Sequence, residues 1–454
     1  MQQKARRAPG PASGLMTFMV CVWLGLFPLL QGGTYLSITW HKFLFMLALT
    51  GLTFIAFLTE VFRKRIVFRP SRTVFAAVFL MLWMILSCLF SGYSPEIWWV
   101  GTSSRMEGLR TQLCYFLLFF CFSFSAVSFR PVFWSAVAGL LIFTVIVLLQ
   151  RAGLNPMNLY PEGYSYALNP EFQGTIGNID MVTGYLCLLL GLFLRGMDET
   201  VSARGRVRLL LPSVAGLGLC LFLLVTMDVQ FGIIAGSVGL LFFCLRRLRK
   251  KQLRIIVILI LLLALILLVF CWPANSGALY ELREALQGRL QLSFGSNRLA
   301  VWVYSLQMTM DPDPESAAPG IPSCSFWHRL LFGGGSGSFE LRFRNYLDRH
   351  HLEIPDSQNG VPLPVYFDQP HNEYLALLVN NGVPALILYL LLLFFVPKQN
   401  RLLILPYTVQ AFFSFSVCLV APMFWVVLGL SALPDGDRSP IRFADEDGDS
   451  CPVR

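Results

Sequence analysis

The chain has 454 residues, of which 56% are hydrophobic and only 13% charged, and its mean hydropathy is +0.63. Because a soluble domain carries about 25% charged residues, this composition excludes an ordinary soluble protein and predicts one membrane domain. The net charge of +9 does not indicate nucleic acid binding. The basic residues cluster in short segments between apolar runs, which is the pattern that orients membrane proteins.

Apolar runs long enough to cross about 30 Å of hydrocarbon recur along the whole chain. We therefore expect an all-α polytopic membrane protein with about twelve transmembrane helices. The predicted spans are 15–35, 42–61, 73–91, 111–128, 131–150, 180–195, 208–227, 229–246, 254–272, 373–396, 402–418 and 420–433. The last two are short, and Ala421-Pro422 lies near their junction, so a single broken helix is the alternative there.

The distribution of Lys and Arg predicts the orientation of these spans. With the N-terminus in the cytoplasm, the cytoplasmic segments hold most of the 35 basic residues. Both termini are then cytoplasmic, and one long loop faces out. The expected organisation is a bundle of nine spans at 1–272, the extracytoplasmic loop 273–372, three spans at 373–433 and a disordered cytoplasmic tail at 434–454.

The external segments contain the first candidate binding residues. Segment 92–110 carries Trp98-Trp99, which suits the headgroup layer, followed by Arg105 and Arg110. The long loop keeps many aromatic residues, so we expect it to fold, with short helices at 276–291 and 299–306. Arginines on the external side of a membrane are candidate ligands for a phosphate group.

Arg298 comes at the start of the second helix predicted in the long loop. The helix dipole favours an anion rather than a cation at that position. The arginine is therefore either aimed at a phosphate, for which its planar fork is suited, or it contacts lipid headgroups. The residues alone favour the headgroup contact.

Two further motifs of the loop are ambiguous. Gly335 and Gly337 belong to the run Gly333–Phe339, whose backbone N–H groups could wrap a phosphate. The run lacks the Lys-Ser/Thr ending of a P-loop, so a flexible turn is an equal alternative. Asp311-Pro312-Asp313 is formally a metal-binding DxD motif, but its prolines favour a solvated turn.

His371 directly precedes the tenth predicted span, unlike His328, His350 and His351 of the same loop. Histidine is the side chain best suited to moving protons near neutral pH, although a histidine at a helix start is more often a cap or an interfacial residue. Asn372 is expected to begin the helix. The polar Asn380-Asn381-Gly382 would be costly in lipid, so this span should face the bundle interior, with His371 at the mouth of a cavity.

These residues resemble the bacterial O-antigen ligase and polymerase family. The family signature is His with Asn, Ser or Gln, nine residues, Gly, two residues, then Gly, Thr or Tyr. His371-Asn372 and Gly382 fit it, whereas Ala385 departs at the last position. Other segments similar to family patterns are Arg298 with Trp302, Gly335-Ser336-Gly337-Ser338-Phe339, Gly174–Asn178 and Arg105–Gly108.

The resemblance implies a GT-C-like fold in the bacterial cytoplasmic membrane and an inverting, metal-independent glycosyltransferase without a cofactor. Its partners would be a polyprenyl-diphosphate-linked glycan donor, a glycan or lipid acceptor and membrane lipids, in surface polysaccharide assembly. His371 is then the base that activates the acceptor hydroxyl, and Arg298 binds the diphosphate. The remaining substrate-binding candidates are Arg105, Arg110, Asn372, Gly335 and Gly337.

A flippase or other transporter of lipid-linked glycans is the alternative. Transporters tend to place charged or broken helices at mid-membrane. Here most spans lack charge, and the ionisable candidates gather on one side, which favours one-sided chemistry. The sequence leaves ligase and polymerase open, because they share the donor and differ in the acceptor.

Overall fold

The computed structural model describes residues 12–102, 105–202, 209–248, 250–271, 277–312, 322, 324–354, 367–433 and 441–442. The chain is mostly helical (71%), as expected. Its helices are α1 (Gly14–Cys21), α2 (Ile38–Phe62), α3 (Arg72–Phe90), α4 (Pro95–Val100), α5 (Leu109–Ser123), α6 (Phe129–Arg151), α7 (Ile179–Ser202), α8 (Leu210–Thr226), α9 (Gln230–Arg247), α10 (Lys251–Cys271), α11 (Gly277–Leu286), α12 (Arg298–Met310), α13 (Phe326–Phe332), α14 (Phe339–His350), α15 (Glu373–Phe394), α16 (Arg401–Gln410) and α17 (Ala421–Ser431).

Four strands of two residues form two small sheets. β1 (Val127–Ser128) pairs in parallel with β4 (Ile441–Arg442), with Val127 opposite Ile441. β2 (Phe172–Gln173) pairs antiparallel with β3 (Gly177–Asn178). Apart from β4, the segment 434–454 lies outside the described residues, and with it the predicted disordered tail.

Six helices in the described ranges are long and apolar enough to cross a membrane: α2, α3, α6, α7, α9 and α15. Five other apolar helical stretches, at Gly14–Leu29, Leu109–Ser123, Leu210–Thr226, Arg401–Phe413 and Ala421–Ser431, are shorter. The helices are consistent with a membrane protein, and the count of about twelve spans stays a prediction.

The helices of the bundle pack closely where small residues face a neighbouring backbone. α5 packs on α17, α7 on α16 and α8, and α3 on α15. A Cβ atom at Gly429 in α17 would lie 2.6 Å from the carbonyl oxygen of Phe119 in α5. Apolar lipid provides no hydrophobic force between helices, so such close approach is what stabilises their contact.

The predicted long loop contains α11 to α14. α12 begins at Arg298, as expected, while α11 ends at Leu286 rather than at Gln291. The earlier end coincides with Gly288, whose φ of +77° interrupts the helix. α13 and the glycine-rich turn after it pack against α3 and α15, so this part of the loop belongs to the helix bundle.

α15 is broken at Gly382, which has a φ of +80°. The break leaves backbone carbonyls without helical partners, and side chains of α3 bind them. Trp83 Nε1 donates to the carbonyl of Asn381 at 3.1 Å, and Ser87 Oγ donates to that of Asn380 at 3.3 Å. Both asparagines are buried, which confirms that the polar part of this span faces protein.

Candidate active site

His371 stands between the end of the long loop and α15, in the left-handed backbone conformation with a φ of +51°. Its Nδ1 lies 3.1 Å from the carbonyl oxygen of Gln369. The ring packs edge-on against Phe415 and Phe367, with centroid distances of 4.7 Å and 5.6 Å. These contacts hold the imidazole in one orientation.

The contact with Gln369 indicates which ring nitrogen of His371 carries the proton. A carbonyl oxygen only accepts hydrogen bonds, so Nδ1 carries a proton and, in the neutral ring, Nε2 has the lone pair. Burial lowers the pKa of His371, and the nearby charge of Asp180 opposes that shift. The side chain is therefore neutral near pH 7, as a general base must be.

Arg298 is the first residue of α12 and is held by the first turn of α7. Its Nη2 donates to both carboxylate oxygens of Asp180, at 2.9 Å and 2.8 Å. The guanidinium carbon also lies 4.8 Å from the ring centroid of Phe231. The charge of Arg298 is thus compensated, while its other N–H groups make no hydrogen bond to the residues that the structure describes and could bind a further anion.

Trp302 connects Arg298 with His371. It lies one turn after Arg298 in α12, and its Nε1 donates to the carbonyl of Pro370 at 2.9 Å. Pro370 immediately precedes His371, so α12 and the start of α15 are joined at this point. In accordance with this link, the charge of Arg298 lowers the pKa of His371.

Arg105 reaches the same region from the segment between α4 and α5. Its Nε donates to Asp368 Oδ2 at 2.6 Å. Its guanidinium carbon lies 4.7 Å from the ring centroid of Phe415, the ring that also packs against His371. We refer to His371, Arg298, Asp180, Arg105, Asp368 and Phe415 as the His371 cluster.

Arg110 is not part of the His371 cluster in this structure. Its guanidinium carbon lies 4.5 Å from the ring centroid of Phe43 in α2. Its Nη2 lies 3.4 Å from Met106 Sδ, and its Nε is buried without a hydrogen bond in the described part of the chain. Arg110 belongs to α5 and packs its side chain against α2, and its role in binding a diphosphate stays a prediction.

Asn372 caps α15, as expected. Its side-chain Oδ1 accepts a hydrogen bond from the backbone N–H of Leu375 at 3.0 Å, which satisfies one of the free donors at the start of the helix. The side chain is buried. A capping role accounts for this residue, and its binding of substrate stays a prediction.

Gly335 and Gly337 form a tight turn against α4 and its flanks. Both have a positive φ, +81° and +77°. A Cβ atom at Gly337 would lie 2.6 Å from Gly101 Cα, and one at Gly335 would lie 3.0 Å from Ser91 Cβ. Close packing therefore requires glycine at both positions, independently of any phosphate.

The acidic DxD motif is engaged elsewhere. The carboxylate of Asp311 pairs with Arg349, and its Oδ2 lies 3.2 Å from His350 Nε2. Asp313 lies outside the described residues. Across the ranges that the structure covers, no group of three or more His, Cys, Asp and Glu residues could hold a metal ion.

Three residues of the site escaped the sequence analysis: Asp180, Asp368 and Phe415. Asp180 lies two residues after the Gly174–Asn178 motif, and Asp368 lies three residues before His371. The only feature of the sequence that could have identified these two carboxylates is their position close to a candidate motif. It is weak, because surface carboxylates are common and nothing local pairs them with a distant arginine.

No family model and no curated protein matches this chain. The geometry of the His371 cluster is therefore the evidence for function. It combines a base held in one tautomer with two arginines at one end of a helix bundle.

Proposed function

We propose that the protein is a glycan ligase or polymerase, which transfers a polyprenyl-diphosphate-linked glycan to an acceptor hydroxyl. The observation that carries the proposal is the convergence of His371, Arg298 and Arg105 in one cluster. A base and two guanidinium groups are what attack by a hydroxyl and departure of a diphosphate require.

In the proposed reaction, the acceptor hydroxyl oxygen attacks the anomeric carbon of the donor sugar. Nε2 of His371 takes the hydroxyl proton as the new C–O bond forms. The bond from the anomeric carbon to the diphosphate oxygen breaks on the opposite face, so the configuration inverts. The electron pair stays on the diphosphate, whose growing charge Arg298 and Arg105 stabilise.

The carboxylates of the His371 cluster hold the two arginines before the donor arrives. Asp180 engages one nitrogen of Arg298, and Asp368 engages Nε and Nη2 of Arg105. A guanidinium offers five N–H donors, so a diphosphate can bind beside the carboxylate. The arginines are thus oriented without an unpaired charge in the partly buried site.

For the membrane, we propose about twelve spans, with both termini in the cytoplasm and the His371 cluster on the outer side of the bacterial cytoplasmic membrane. The Lys and Arg bias of the short loops supports this orientation. The charged residues of the cluster come from the starts of α7, α12 and α15 and the segment before α5, a grouping that fits one face of the membrane.

The test uses purified protein in liposomes with a fluorescent polyprenyl-diphosphate glycan and a panel of acceptors. The expected result is transfer by the wild type and a fall in rate of about 10²-fold or more in His371→Ala, the contribution of a general base. The matched control, His328→Ala, alters a histidine that packs on Phe332 and should keep the wild-type rate. Equal rates in wild type and His371→Ala would contradict the proposal.

A flippase for lipid-linked glycans is the second candidate, and the break in α15 at Gly382 is the observation that favours it. A flippase would move the fluorescent lipid between leaflets without releasing polyprenyl diphosphate. Measuring lipid movement and polyprenyl diphosphate in the same liposomes separates the two functions.

A further inference from the structure

A partly open cavity lies beside the His371 cluster, between α3, α5, α15 and α17. Its lining mixes polar and apolar side chains. They include Glu107, Gln369, Glu373, Ser416, Asn381 and Trp425. The proposed reaction uses none of these side chains, so the cavity needs its own explanation.

Three chain segments supply both the His371 cluster and the cavity. Arg105 belongs to the cluster and Glu107 to the cavity. Phe415 contacts His371, and the next residue, Ser416, lines the cavity. The segment 369–373 contributes its histidine to the cluster and Gln369 and Glu373 to the cavity. The cavity therefore adjoins the place where the acceptor hydroxyl would react.

The two carboxyl groups of the cavity are buried and held by hydroxyl and amide donors. Glu107 accepts hydrogen bonds from Tyr115 Oη at 2.6 Å and Gln112 Nε2 at 2.9 Å. Glu373 accepts one from Tyr407 Oη at 2.8 Å. Burial raises the pKa of Glu107 well above its usual range, so this carboxyl group is poised to be uncharged and to donate as well as accept.

Gln369 provides an independent sign of a ligand. The residue is only 5% exposed, yet its carboxamide makes no hydrogen bond to any residue that the structure describes. Its backbone carbonyl holds His371, while its side chain lines the cavity. The carboxamide is therefore available to bind a polar ligand in the cavity.

We infer that this cavity binds an uncharged sugar ring, next to the hydroxyl or anomeric carbon that reacts at His371. Sugar hydroxyls both donate and accept, which matches the carboxyl and amide groups, and Trp425 offers an apolar face. A prenyl chain would leave these polar groups unpaired. An anionic sugar would bring a charge next to a lining that includes no Lys, Arg or His among the described residues.

The test measures binding rather than transfer. Saturation-transfer NMR on the purified full chain uses neutral methyl hexosides, with a methyl uronide as the charged comparison. Gln369→Leu removes the unpaired amide, and Ala376→Leu fills the cavity from α15. Each should raise the dissociation constant about tenfold or more, the effect of losing one good hydrogen bond. Gln287→Leu, at an exposed position, is the matched control.

Thermal unfolding shows which variants are folded. Because the two cavity variants change different residues, the test still works if one of them does not fold. Preferential binding of neutral hexosides that is lost in the folded cavity variants and kept in Gln287→Leu supports the inference. Overturning outcomes are no hexoside binding by the folded wild type, equal binding by the cavity variants, or equal or tighter binding of the uronide.

The identity of the sugar rests on the proposed function, and two further arms separate the two ideas. His371→Ala should lose transfer but keep hexoside binding, because its side chain is outside the cavity lining. Hexoside binding by a wild type that transfers no glycan would contradict the proposed function alone. If a free acceptor glycan competes with the hexoside, the bound ring belongs to the acceptor. If the lipid-linked donor competes, the ring belongs to the donor. Competition by neither contradicts the inference.

Discussion

Two clusters of ion pairs lie near the two ends of α7, and they have the same chemistry in different surroundings. Asp180, in the first turn, holds Arg298. Asp198, which lies 18 residues further and therefore about 27 Å along the helix axis, interacts with Arg195 and Arg247. We refer to the second group, with Glu199 and Arg246, as the Asp198 cluster.

The Asp198 cluster ties α7 to α9. Arg247 donates to both the carboxylate and the backbone carbonyl of Asp198, at 2.7 Å and 3.1 Å. Arg195 is buried and also pairs with Glu199. Because Asp198 pairs with arginines of both α7 and α9, this arrangement supports the fold and leaves little capacity for a ligand.

The His371 cluster combines its ion pairs with a neutral histidine, aromatic faces and an adjoining cavity. Of its arginines, Arg105 lies in the segment between α4 and α5, and Arg298 is the first residue of α12. The comparison teaches that an arginine–carboxylate pair is not in itself a sign of function. The groups around the pair decide whether it holds helices together or receives a substrate.

The largest effect is expected for Arg298→Ala. Loss of a group that stabilises the leaving charge should lower the initial rate of glycan transfer about 10²- to 10³-fold. Arg298→Lys should recover part of the rate, since lysine keeps the charge without the planar fork. Arg195→Ala in the Asp198 cluster should keep the rate per folded molecule. Similar losses in both clusters would remove the distinction between them.

The next effect concerns stability. Asp198→Asn leaves Arg195, which is only 7% exposed in its side chain, without its full compensation. The free energy of unfolding should fall by about 3 kcal/mol, as when one partner of a buried ion pair is removed. Denaturant unfolding in detergent measures the change, with the exposed Asp348→Asn as the control. A stable Asp198→Asn protein with impaired transfer would reverse the assignment.

The pH dependence of transfer should reflect His371. Burial lowers its pKa. As the pH is lowered, the rate should therefore stay level past the ordinary histidine value of about 6.5. Below the folded pKa, the rate should fall about tenfold per pH unit, because the base becomes protonated. Between that ordinary value and the lower folded pKa, the unfolded state binds more protons than the folded state, so the free energy of unfolding decreases as the pH is lowered through this window. His371→Gln should remove this contribution to stability. An unchanged stability profile would show that another group titrates.

The smallest effect is expected for the helix cap. Asn372→Ala should lower the free energy of unfolding by about 1 kcal/mol, while Asn372→Ser keeps a capping oxygen and should stay near the wild type. The rate of transfer by Asn372→Ser tests whether the residue also binds substrate. A stable Asn372→Ser protein with strongly reduced transfer would establish that second role.

Local sequence features predicted several elements correctly. The start of α12 at Arg298 and the cap of α15 at Asn372 follow from neighbouring residues alone. The inward placement of Asn380 and Asn381 follows from the cost of polar groups in lipid. Each of these features depends on a free-energy cost that neighbouring residues in the sequence determine.

The partners of the arginines could not be predicted in this way. Arg298 meets a carboxylate 118 positions away, and Arg105 meets one 263 positions away. The choice of partner depends on which helices become neighbours, and that depends on packing along their whole lengths. For the same reason, the sequence left the role of Gly335 and Gly337 open, because the surface they approach belongs to α4 and its flanks.

The sequence by itself determined a mostly helical protein with apolar helices, because a backbone in lipid must satisfy its hydrogen bonds within each segment. It also singled out His371, Arg298 and Arg105 as candidates. Only the tertiary structure decided that these three residues meet, that Asp180 and Asp368 hold the arginines, and that a polar cavity adjoins them. Ion pairs and cavities are formed between distant segments, so their geometry exists only once the helices have packed.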